Sequence, residues 1–367
     1  MRAARGDVPY DLTVSNPTTC GFDYPPDLLD ALTRTEGLVY RPDPKGLRTA
    51  REAVAYEYAA RGVAIDPERI VLTASSSEAY GFLFKLLCDP GDAVLVPTPS
   101  YPLLEHLASL EGVRAVRYAL DPAHDWQPQP PAPDGPGDAR AAILVHPNNP
   151  TGSWVAPAAA EALAESAGGA LLPLIADEVF LDFPLSSRTA PATFASRTRG
   201  LTFTLGGLSK SRGLPQLKVS WIVVSGPERE VEASLEALVF ISDNVLSVAT
   251  PVQESLPTIL ARTLPVRDAI HARCHGNLAT ALRLAHRVPP VSIAPPGGGW
   301  SFVVRFPRVV PEEALVLELL ERYGVAVHPG FFFDFPTEGY LVASLLPACD
   351  AFEAGFGRVL DAIAAKL

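Results

Sequence analysis

One lysine in this sequence stands where its side chain can react. Lys210 lies in the stretch GGLSKSRGLPQLKVSW (206–221), directly after the β-branched and aromatic run GLTFTL (200–205). That run indicates a buried strand, and the residues after it lie at the edge of a sheet, where open α/β folds place their ligand sites. A lysine partly withdrawn from water loses its proton easily and becomes an amine nucleophile. The alternative is a surface lysine that keeps its charge in water.

Other polar side chains also follow strand-like runs. Ser75, Ser76 and Ser77 stand between a strand and a helix, where hydroxyls and free N–H groups can hold a phosphate. The alternative there is an ordinary serine N-cap. Asp177 follows apolar residues in LLPLIADEVF, and it is either a helix cap or the partner of a buried cation. Asn149 follows a third run in VHPNNPTG, where a turn asparagine is the alternative.

The elements that must position these residues alternate along the chain. Helical segments at 76–88, 101–111 and 156–167 separate most of the strand-like runs. The alternation predicts an α/β fold with a mostly parallel seven-stranded sheet sandwiched by helices. The Pro-, Gly- and Asp-rich stretch at 121–138 indicates an exposed connection inside this domain. The strand-like runs themselves lie at 69–73, 93–99, 141–147, 171–180, 200–205 and 218–226.

The pattern changes after about residue 227. Long helical periodicity continues to about residue 287, and it is followed by short strands near 301–306 and 325–327 and by terminal helices. This second pattern predicts a smaller α+β domain. We divide the chain into an N-terminal segment, a large domain and a small C-terminal domain, at 1–44, 45–255 and 256–367.

Composition excludes several classes of partner. The 367 residues carry a formal net charge of −11, so a nucleic acid or an anionic membrane surface would be repelled. No run reaches the ~18 apolar residues needed to cross a bilayer. The N-terminal stretch MRAARGDVPYDL has no apolar segment behind its positive charges, so we expect no signal peptide and a cytoplasmic protein.

The cysteines and histidines give little sign of a metal site. Cys20, Cys88, Cys274 and Cys349 are widely scattered, as is typical of reduced thiols. The motif HARCH (271–275) places two histidines and a cysteine on one stretch, but no further ligand follows nearby. We therefore predict no metal site.

In order and spacing, these motifs resemble those of the class I/II aminotransferases, which are fold type I enzymes dependent on pyridoxal 5'-phosphate (PLP). The resemblance extends from SNPTTCGFDYP near residue 15 to HPGFFFDFPTEGYLVASLL near residue 346. It implies transfer of an amino group between an amino acid or amine and a 2-oxo acid, both small molecules. It also implies a homodimer with its active sites at the subunit interface.

The resemblance implies a role for each residue. Lys210 forms a Schiff base with PLP and then moves a proton between the substrate Cα and the cofactor. Asp177 keeps the pyridine nitrogen protonated, so that the ring accepts electrons. Tyr101 stacks on the ring, although a loop tyrosine packed in the core is the alternative. Asn149 donates to the ring 3'-oxygen. The phosphate is surrounded by Ser75, Ser76, Ser77, Ser209 and Lys218.

Two further residues match the family outside these strand ends, and a third lies beside one of them. Tyr40, in YRPDPKGLRTAREA, corresponds to the tyrosine that reaches the phosphate of the neighbouring subunit, which links the segment 1–44 to the dimer interface. Arg41 follows it and is a candidate for binding the substrate carboxylate. Asn16, in SNPT, resembles the loop on the substrate side of the site.

The sequence also departs from the family pattern. Phe180 replaces a tyrosine that donates to the cofactor 3'-oxygen, and Lys218 replaces a phosphate-binding arginine. Gly207 stands where a phosphate-binding serine is frequent, and Ser209 is the expected substitute. Val342, in YLVAS, stands where relatives often carry the arginine that binds the substrate α-carboxylate.

The substrate side of the predicted site leaves two questions open, of which the first concerns the replacement at Val342. Either another cation binds the carboxylate, with Arg41 or Arg212 as candidates that are otherwise solvated surface arginines, or the substrate is atypical. The stretch HPGFFFDF (328–335) either lines the site or forms a core strand of the small domain. With no cluster of basic residues besides Lys218, the sequence favours substrates with neutral or apolar side chains.

Three classes of function follow in order. An aminotransferase is first, because the motif set matches that class best. A PLP-dependent lyase, decarboxylase or other α-carbon enzyme is the alternative, because a fold does not fix its reaction and the carboxylate-binding arginine is replaced. A non-catalytic binding protein comes third, because both Lys210 and Asp177 are present.

Overall fold

The computed structural model describes residues 8–131, 139–167, 171–186 and 192–367. The strands are β1 (Tyr10–Asp11), β2 (Ile70–Thr73), β3 (Ala93–Thr98), β4 (Arg114–Asp121), β5 (Gln127–Pro128), β6 (Ala139–Val145), β7 (Leu174–Asp177), β8 (Thr202–Gly207), β9 (Ser220–Ser225), β10 (Ser292–Ile293), β11 (Ser301–Arg305), β12 (Val325–Ala326), β13 (His328–Pro329) and β14 (Tyr340–Ser344). The α-helices are α1 (Arg48–Ala59), α2 (Ser76–Leu87), α3 (Leu103–Leu110), α4 (Pro157–Ala164), α5 (Leu208–Ser211), α6 (Glu228–Asp243), α7 (Thr250–Arg262), α8 (Leu264–Ala285), α9 (Glu312–Tyr323) and α10 (Cys349–Ala364).

The large sheet has the order β2-β9-β8-β7-β6-β3-β4-β5. Adjacent strands from β8 to β4 run parallel, while β9 is antiparallel to both β8 and β2. The predicted mostly parallel α/β fold is therefore confirmed, and each of the six predicted strand-like runs overlaps a strand of this sheet. Because β2 and β8 are both antiparallel to β9, β2 and β8 run in the same direction.

The strand count differs from the prediction. The described residues form eight strands in this sheet, where seven were predicted. β5 has two residues and lies inside the stretch 121–138 that was predicted to be an exposed connection, of which 132–138 lie outside the described residues. β4 was not among the predicted runs because Arg114 and Arg117 interrupt its apolar pattern, as is usual for a strand near a sheet edge.

Helices cover both faces of the sheet, which explains why the inner strands are apolar throughout. On one face, α2, α3 and α6 pack against side chains such as Val94, Ile143 and Phe203. On the other face, α4 packs against alternate residues of the same strands, and α1 and α7 pack against β2 and β9. None of the described helices is long and apolar enough to cross a membrane.

The direction of the strands determines where the polar residues of the sequence meet. β2, β3, β6, β7 and β8 all run the same way, so their carboxyl ends lie at one edge of the sheet. The residues that follow these ends are Ser75–Ser77, Tyr101, Asn149, Asp177 and Lys210. Local sequence places each residue at a strand end, and the parallel topology brings the ends together.

The C-terminal part of the chain forms a second layer. Its four-stranded sheet has the order β10-β11-β14-β13 and packs against α8, α9 and α10. β1 of the N-terminal segment pairs in parallel with β12, so that segment is attached to the small domain. Helix α7 continues through residue 256 and packs with α1. We therefore propose that the segment 1–44 joins the small domain and that the small domain begins after α7.

A buried carboxylate fixes the loop that leads from β13 to β14. Glu312, in the first turn of α9, is only 1% exposed. Its oxygens accept hydrogen bonds from the backbone N–H groups of Phe331 at 3.1 Å, Gly339 at 2.7 Å and Tyr340 at 2.8 Å. These bonds close the loop, and they satisfy donors that would otherwise be buried without an acceptor.

Replacing Glu312 should destabilise the protein much more than replacing its exposed neighbour. Glu312→Ala leaves buried N–H groups without an acceptor, so the free energy of unfolding should fall by about 2 kcal/mol or more. Glu313→Ala, in the same helical turn, should change it by less than about 0.5 kcal/mol. Urea unfolding followed by fluorescence measures both changes, and equal effects would contradict the role given to Glu312.

Candidate active site

A cavity of about 510 Å³ opens at the edge where the parallel strands end. Its described walls come from the large domain, from the small-domain sheet and from the N-terminal segment. The lining residues are Leu12, Thr13, Val14, Ser15, Ser76, Ser77, Tyr101, Pro102, Leu104, Val145, Asn149, Asp177, Val179, Phe180, Lys210, Trp300, Ser301, His328, Phe332, Phe333, Val342 and Ser344.

Lys210 projects into this cavity from the short helix α5. Its ammonium nitrogen lies 5.3 Å from the centre of the Trp300 ring and 5.6 Å from that of Phe180, within the range of cation–π contacts. Burial lowers the pKa of Lys210, and attraction to Asp177 opposes this shift. The alternative of an ordinary surface lysine is therefore wrong, because this amine is withdrawn from water and lines the cavity.

Asp177 ends β7 and lines the same cavity. Its carboxylate accepts hydrogen bonds from the hydroxyl of Tyr80 at 3.0 Å and from the backbone N–H of Val179 at 3.2 Å. Burial raises the pKa of Asp177, and both hydrogen bonds and the nearby Lys210 oppose this rise. The carboxylate is therefore held in place and can pair with a cation that enters the cavity.

The three serines at the start of α2 have different positions. The Ser75 hydroxyl accepts from the backbone N–H of Glu78 at 3.1 Å, so the side chain caps the helix. Ser76 and Ser77 line the cavity, next to the free N–H groups of the first helical turn. Ser75 is therefore an N-cap, and Ser76 and Ser77 face a space where an anion can bind, so their phosphate role stays a prediction.

Three more predicted residues line the cavity. Tyr101 is 43% exposed, so it is not a core residue. The side-chain oxygen of Asn149 accepts a 3.3 Å hydrogen bond from the Ser301 hydroxyl. This bond does not use the amide N–H groups of Asn149, which are donors. The Phe180 ring meets Trp300 edge to face, with centroids 5.3 Å apart.

Besides Ser75, five predicted residues do not belong to the cavity lining of the described chain. Ser209 is half-buried beside Lys210, and Lys218 is exposed in a left-handed backbone conformation. The side-chain oxygen of Asn16 caps the 3-10 helix Pro17–Thr19. The preceding residue, Ser15, lines the cavity, but Asn16 does not. Tyr40 and Arg41 border a different cleft on the surface of the large domain. Their roles remain predictions.

Both sequence interpretations of Arg212, as a carboxylate-binding residue and as a solvated surface arginine, are wrong. It is neither a surface arginine nor a residue of the cavity, because its side chain is 0% exposed. The guanidinium forms ion pairs with Glu57 and, at 3.7 Å, with Asp182, and it donates to the Leu260 carbonyl at 3.4 Å. It therefore stabilises the packing behind Lys210 and is not available to a substrate.

Close packing explains the glycine at position 207. A Cβ atom there would lie 2.3 Å from the hydroxyl oxygen of Ser220, which opposes Gly207 across β8 and β9. A serine at 207 would therefore not fit, and the Ser220 hydroxyl occupies that space instead. Sequence reasoning missed Ser220 because only strand register brings the two residues together.

Sequence reasoning did not identify several residues in or beside the cavity. Tyr80 is buried outside the lining and holds Asp177, and it was missed although its spacing from the α2 N-terminus could have indicated a side chain directed at the sheet. Trp300, Ser301 and Ser344 reach the cavity from the small domain, where local sequence carries no signal for a site. His328, Phe332 and Phe333 line the cavity while Phe333 also belongs to a buried cluster, so both interpretations of HPGFFFDF hold in part.

The HARCH motif lies in α8, outside this cavity. The His271 ring contacts the Pro184 carbonyl, and Cys274 is buried in the small-domain core. Within the part of the chain that the structure describes, no three His, Cys, Asp or Glu side chains are placed to share a metal ion.

Comparisons with known proteins identify the family. The model of the family "Aminotransferase class I and II" matches residues 12–349, and the chain therefore belongs to that family. It is 27% identical over 372 residues to the glutamate-pyruvate aminotransferase AlaA of Escherichia coli strain K12, covering 96% of this chain and 90% of that protein. It is 28% identical over 295 residues to the alanine aminotransferase of Mycobacterium tuberculosis strain H37Rv, covering 77% and 68%. The solved alanine aminotransferase of Pyrococcus furiosus superposes with a TM-score of 0.84 at 25% identity, covering 96% and 91%.

The protein is thus a PLP-dependent aminotransferase, which acts on an amino compound and a 2-oxo acid. The cavity fits the cofactor chemically, because it combines an amine of lowered pKa, a buried carboxylate and hydroxyls at a helix N-terminus. When bound, PLP supplies an electron sink for negative charge at the substrate Cα. With PLP bound, Lys210 would accept and return the Cα proton, and Asp177 would hold a protonated ring nitrogen.

The phenyl ring of Phe180 should leave a measurable signature in the holoenzyme. A tyrosine here would donate to the 3'-oxygen of the cofactor and stabilise its negative charge, so the wild type should hold the neighbouring imine proton more tightly. We expect Phe180→Tyr to lower the pH midpoint of the visible absorption band by about one unit, as one charge-assisted hydrogen bond would. A pH titration of both proteins measures this, and an unchanged midpoint would refute it.

Proposed function

We propose that this aminotransferase prefers amino acids with neutral or apolar side chains. One observation carries the proposal: among the described residues that line the cavity, Lys210 is the one lysine and no arginine occurs. A substrate with a second carboxylate would bring a charge that finds no arginine and no second lysine in this described lining, at a considerable cost in desolvation. Leu12, Leu104 and Phe332 offer apolar surface to a side chain instead.

We propose the following division of roles. Lys210 is the Schiff-base lysine and proton carrier, Asp177 pairs with the ring nitrogen, and Tyr101 stacks on the ring. Asn149 donates to the 3'-oxygen beside Phe180. The phosphate-binding group comprises Ser75, Ser76, Ser77, Ser209 and Lys218. Within it, the cavity lining supports Ser76 and Ser77 directly, and the other members rest on the resemblance.

An amino-acid panel tests the substrate preference. The holoenzyme is mixed with L-alanine, L-leucine, L-phenylalanine, L-aspartate and L-glutamate, and conversion of the visible band to that of the pyridoxamine form is followed. We expect the neutral amino acids to react with kcat/KM at least about tenfold above the two dicarboxylic ones, because an unpaired buried charge costs more than 1.4 kcal/mol. A preference for aspartate or glutamate would contradict the proposal.

The same panel tests the alternative reaction class. Val342 is 2% exposed and lines the cavity, so the position where relatives often carry a carboxylate-binding arginine here presents an isopropyl group. Release of carbon dioxide or ammonia with an unchanged visible band would favour a lyase or decarboxylase. We place the aminotransferase first, since the family and the presence of Lys210 and Asp177 in one cavity both support it.

We further propose a cytoplasmic homodimer. Leu38 and Tyr40 are 87% and 75% exposed, and Phe240 is 74% exposed on α6. These apolar side chains lie in the two segments that flank the cleft bordered by Tyr40 and Arg41. Such exposed apolar surface indicates a protein interface, and a second subunit seated there would cover it. All four cysteines are free thiols, which supports a reducing compartment.

Sedimentation velocity tests the dimer. Each chain has a mass of 39.1 kDa, so the wild type should sediment as a species of about twice that mass. Leu38→Asp combined with Phe240→Asp should shift it to the monomer, because two charges would then be buried in the interface. Leu110→Asp, at an apolar site that is 82% exposed on α3, is the matched control and should remain dimeric. A monomeric wild type would contradict the proposal.

A further inference from the structure

The proposed amino-acid substrate needs a group in the cavity that binds its carboxylate. An amino acid brings a carboxylate, and a carboxylate taken out of water needs hydrogen-bond donors and preferably a positive charge. Lys210 is engaged with the cofactor, and no arginine is found among the described lining residues. His328 is the remaining described group of the lining that can carry a positive charge.

Strand register places His328 directly across from Val342. The two residues pair between the antiparallel strands β13 and β14, and both line the cavity. Side chains of directly opposed residues lie on the same face, with Cβ atoms ~5 Å apart. The imidazole therefore borders the space in front of Val342, where the isopropyl group leaves room and offers no donor.

A hydroxyl lies on the same face. Ser344 follows Val342 by two residues, so its side chain points to the same side of β14 and lines the cavity. Its oxygen accepts from the backbone N–H of Leu346 at 3.1 Å, which leaves the hydroxyl hydrogen available to donate. As a diagonal neighbour of His328, at ~7–8 Å between Cβ atoms, Ser344 can share a ligand with the imidazole.

The surroundings of His328 strengthen such a contact. Its ring lies 5.9 Å from that of Phe332 and 5.7 Å from that of Phe333, measured between centroids. These aromatic side chains cover part of the imidazole, and a hydrogen bond to a charged group is stronger where the dielectric is low.

We propose that His328, assisted by Ser344, binds the carboxylate of the amino-acid substrate. One carboxylate oxygen accepts from an imidazole N–H and the other from the Ser344 hydroxyl. Val342 provides the space between them. The proposal rests on the proposed amino-acid substrate and adds the residues that recognise its charged end.

Two unreactive ligands isolate this contact from the chemistry. 3-Phenylpropanoate carries a carboxylate, and 3-phenylpropanamide has the same shape without the charge. Calorimetric titration of the holoenzyme gives a dissociation constant for each. We expect the wild type to bind the carboxylate more tightly than the amide. His328→Ala should weaken carboxylate binding about tenfold or more while changing amide binding less than about threefold, since a hydrogen bond to a charged group is lost.

Three further variants guard against a purely structural effect. His328→Ala/Val342→Arg places a guanidinium on the strand opposite the deleted imidazole, and it should restore most of the preference for the carboxylate. Phe332→Ala removes apolar contact only, and it should weaken both ligands by a similar factor. If His328→Ala does not fold, His328→Gln, which keeps a donor but cannot be charged, should show a smaller selective loss.

The outcomes separate this proposal from the proposed function. Equal weakening of both ligands by His328→Ala, or a wild type that does not prefer the carboxylate, would overturn the role of His328. Either result can occur in an enzyme that still transaminates neutral amino acids. Failure of the amino-acid panel would overturn the proposed substrate preference, while the ligand titrations could still succeed.

Discussion

The electrostatic attraction between Lys210 and Asp177 is the constraint around which this site is built. Burial shifts the pKa of the lysine down and that of the aspartate up, because it disfavours the charged form of each group. Their mutual attraction opposes both shifts. The hydrogen bond from Tyr80 and the backbone N–H of Val179 also stabilise the carboxylate. The rest of the fold serves to hold these two groups in one cavity, at the ends of neighbouring parallel strands.

The surrounding structure makes this arrangement rigid. Arg212, two residues beyond Lys210, is fully buried and is anchored by Glu57 and Asp182, so the segment after β8 cannot shift easily. On the opposite wall, Glu312 closes the loop that carries Phe332 and Phe333. Neither residue touches the cavity. Both are charged groups that are stable inside the protein because each has found specific partners.

The small-domain wall of the cavity differs in character from the large-domain wall. The large domain contributes groups suited to a cofactor, namely an amine, a carboxylate and the hydroxyls at the start of α2. The small domain contributes apolar side chains, two serines and one histidine, which are suited to a substrate. Under the proposed roles, the wall that would hold the cofactor is thus separated from the wall that would contact the substrate.

The sequence by itself determined the alternation of strands and helices, the residues that follow the strand ends and the family. These features are local, because strand periodicity, helix caps and glycine-rich turns are encoded in short stretches. The tertiary structure alone decided that Arg212 is buried, that Tyr80 holds Asp177, that Ser220 fills the space at Gly207 and that His328 faces Val342. Each of these contacts joins residues far apart in the chain or on different strands. Strand register and the packing of distant elements fix them, and no short stretch of sequence specifies either.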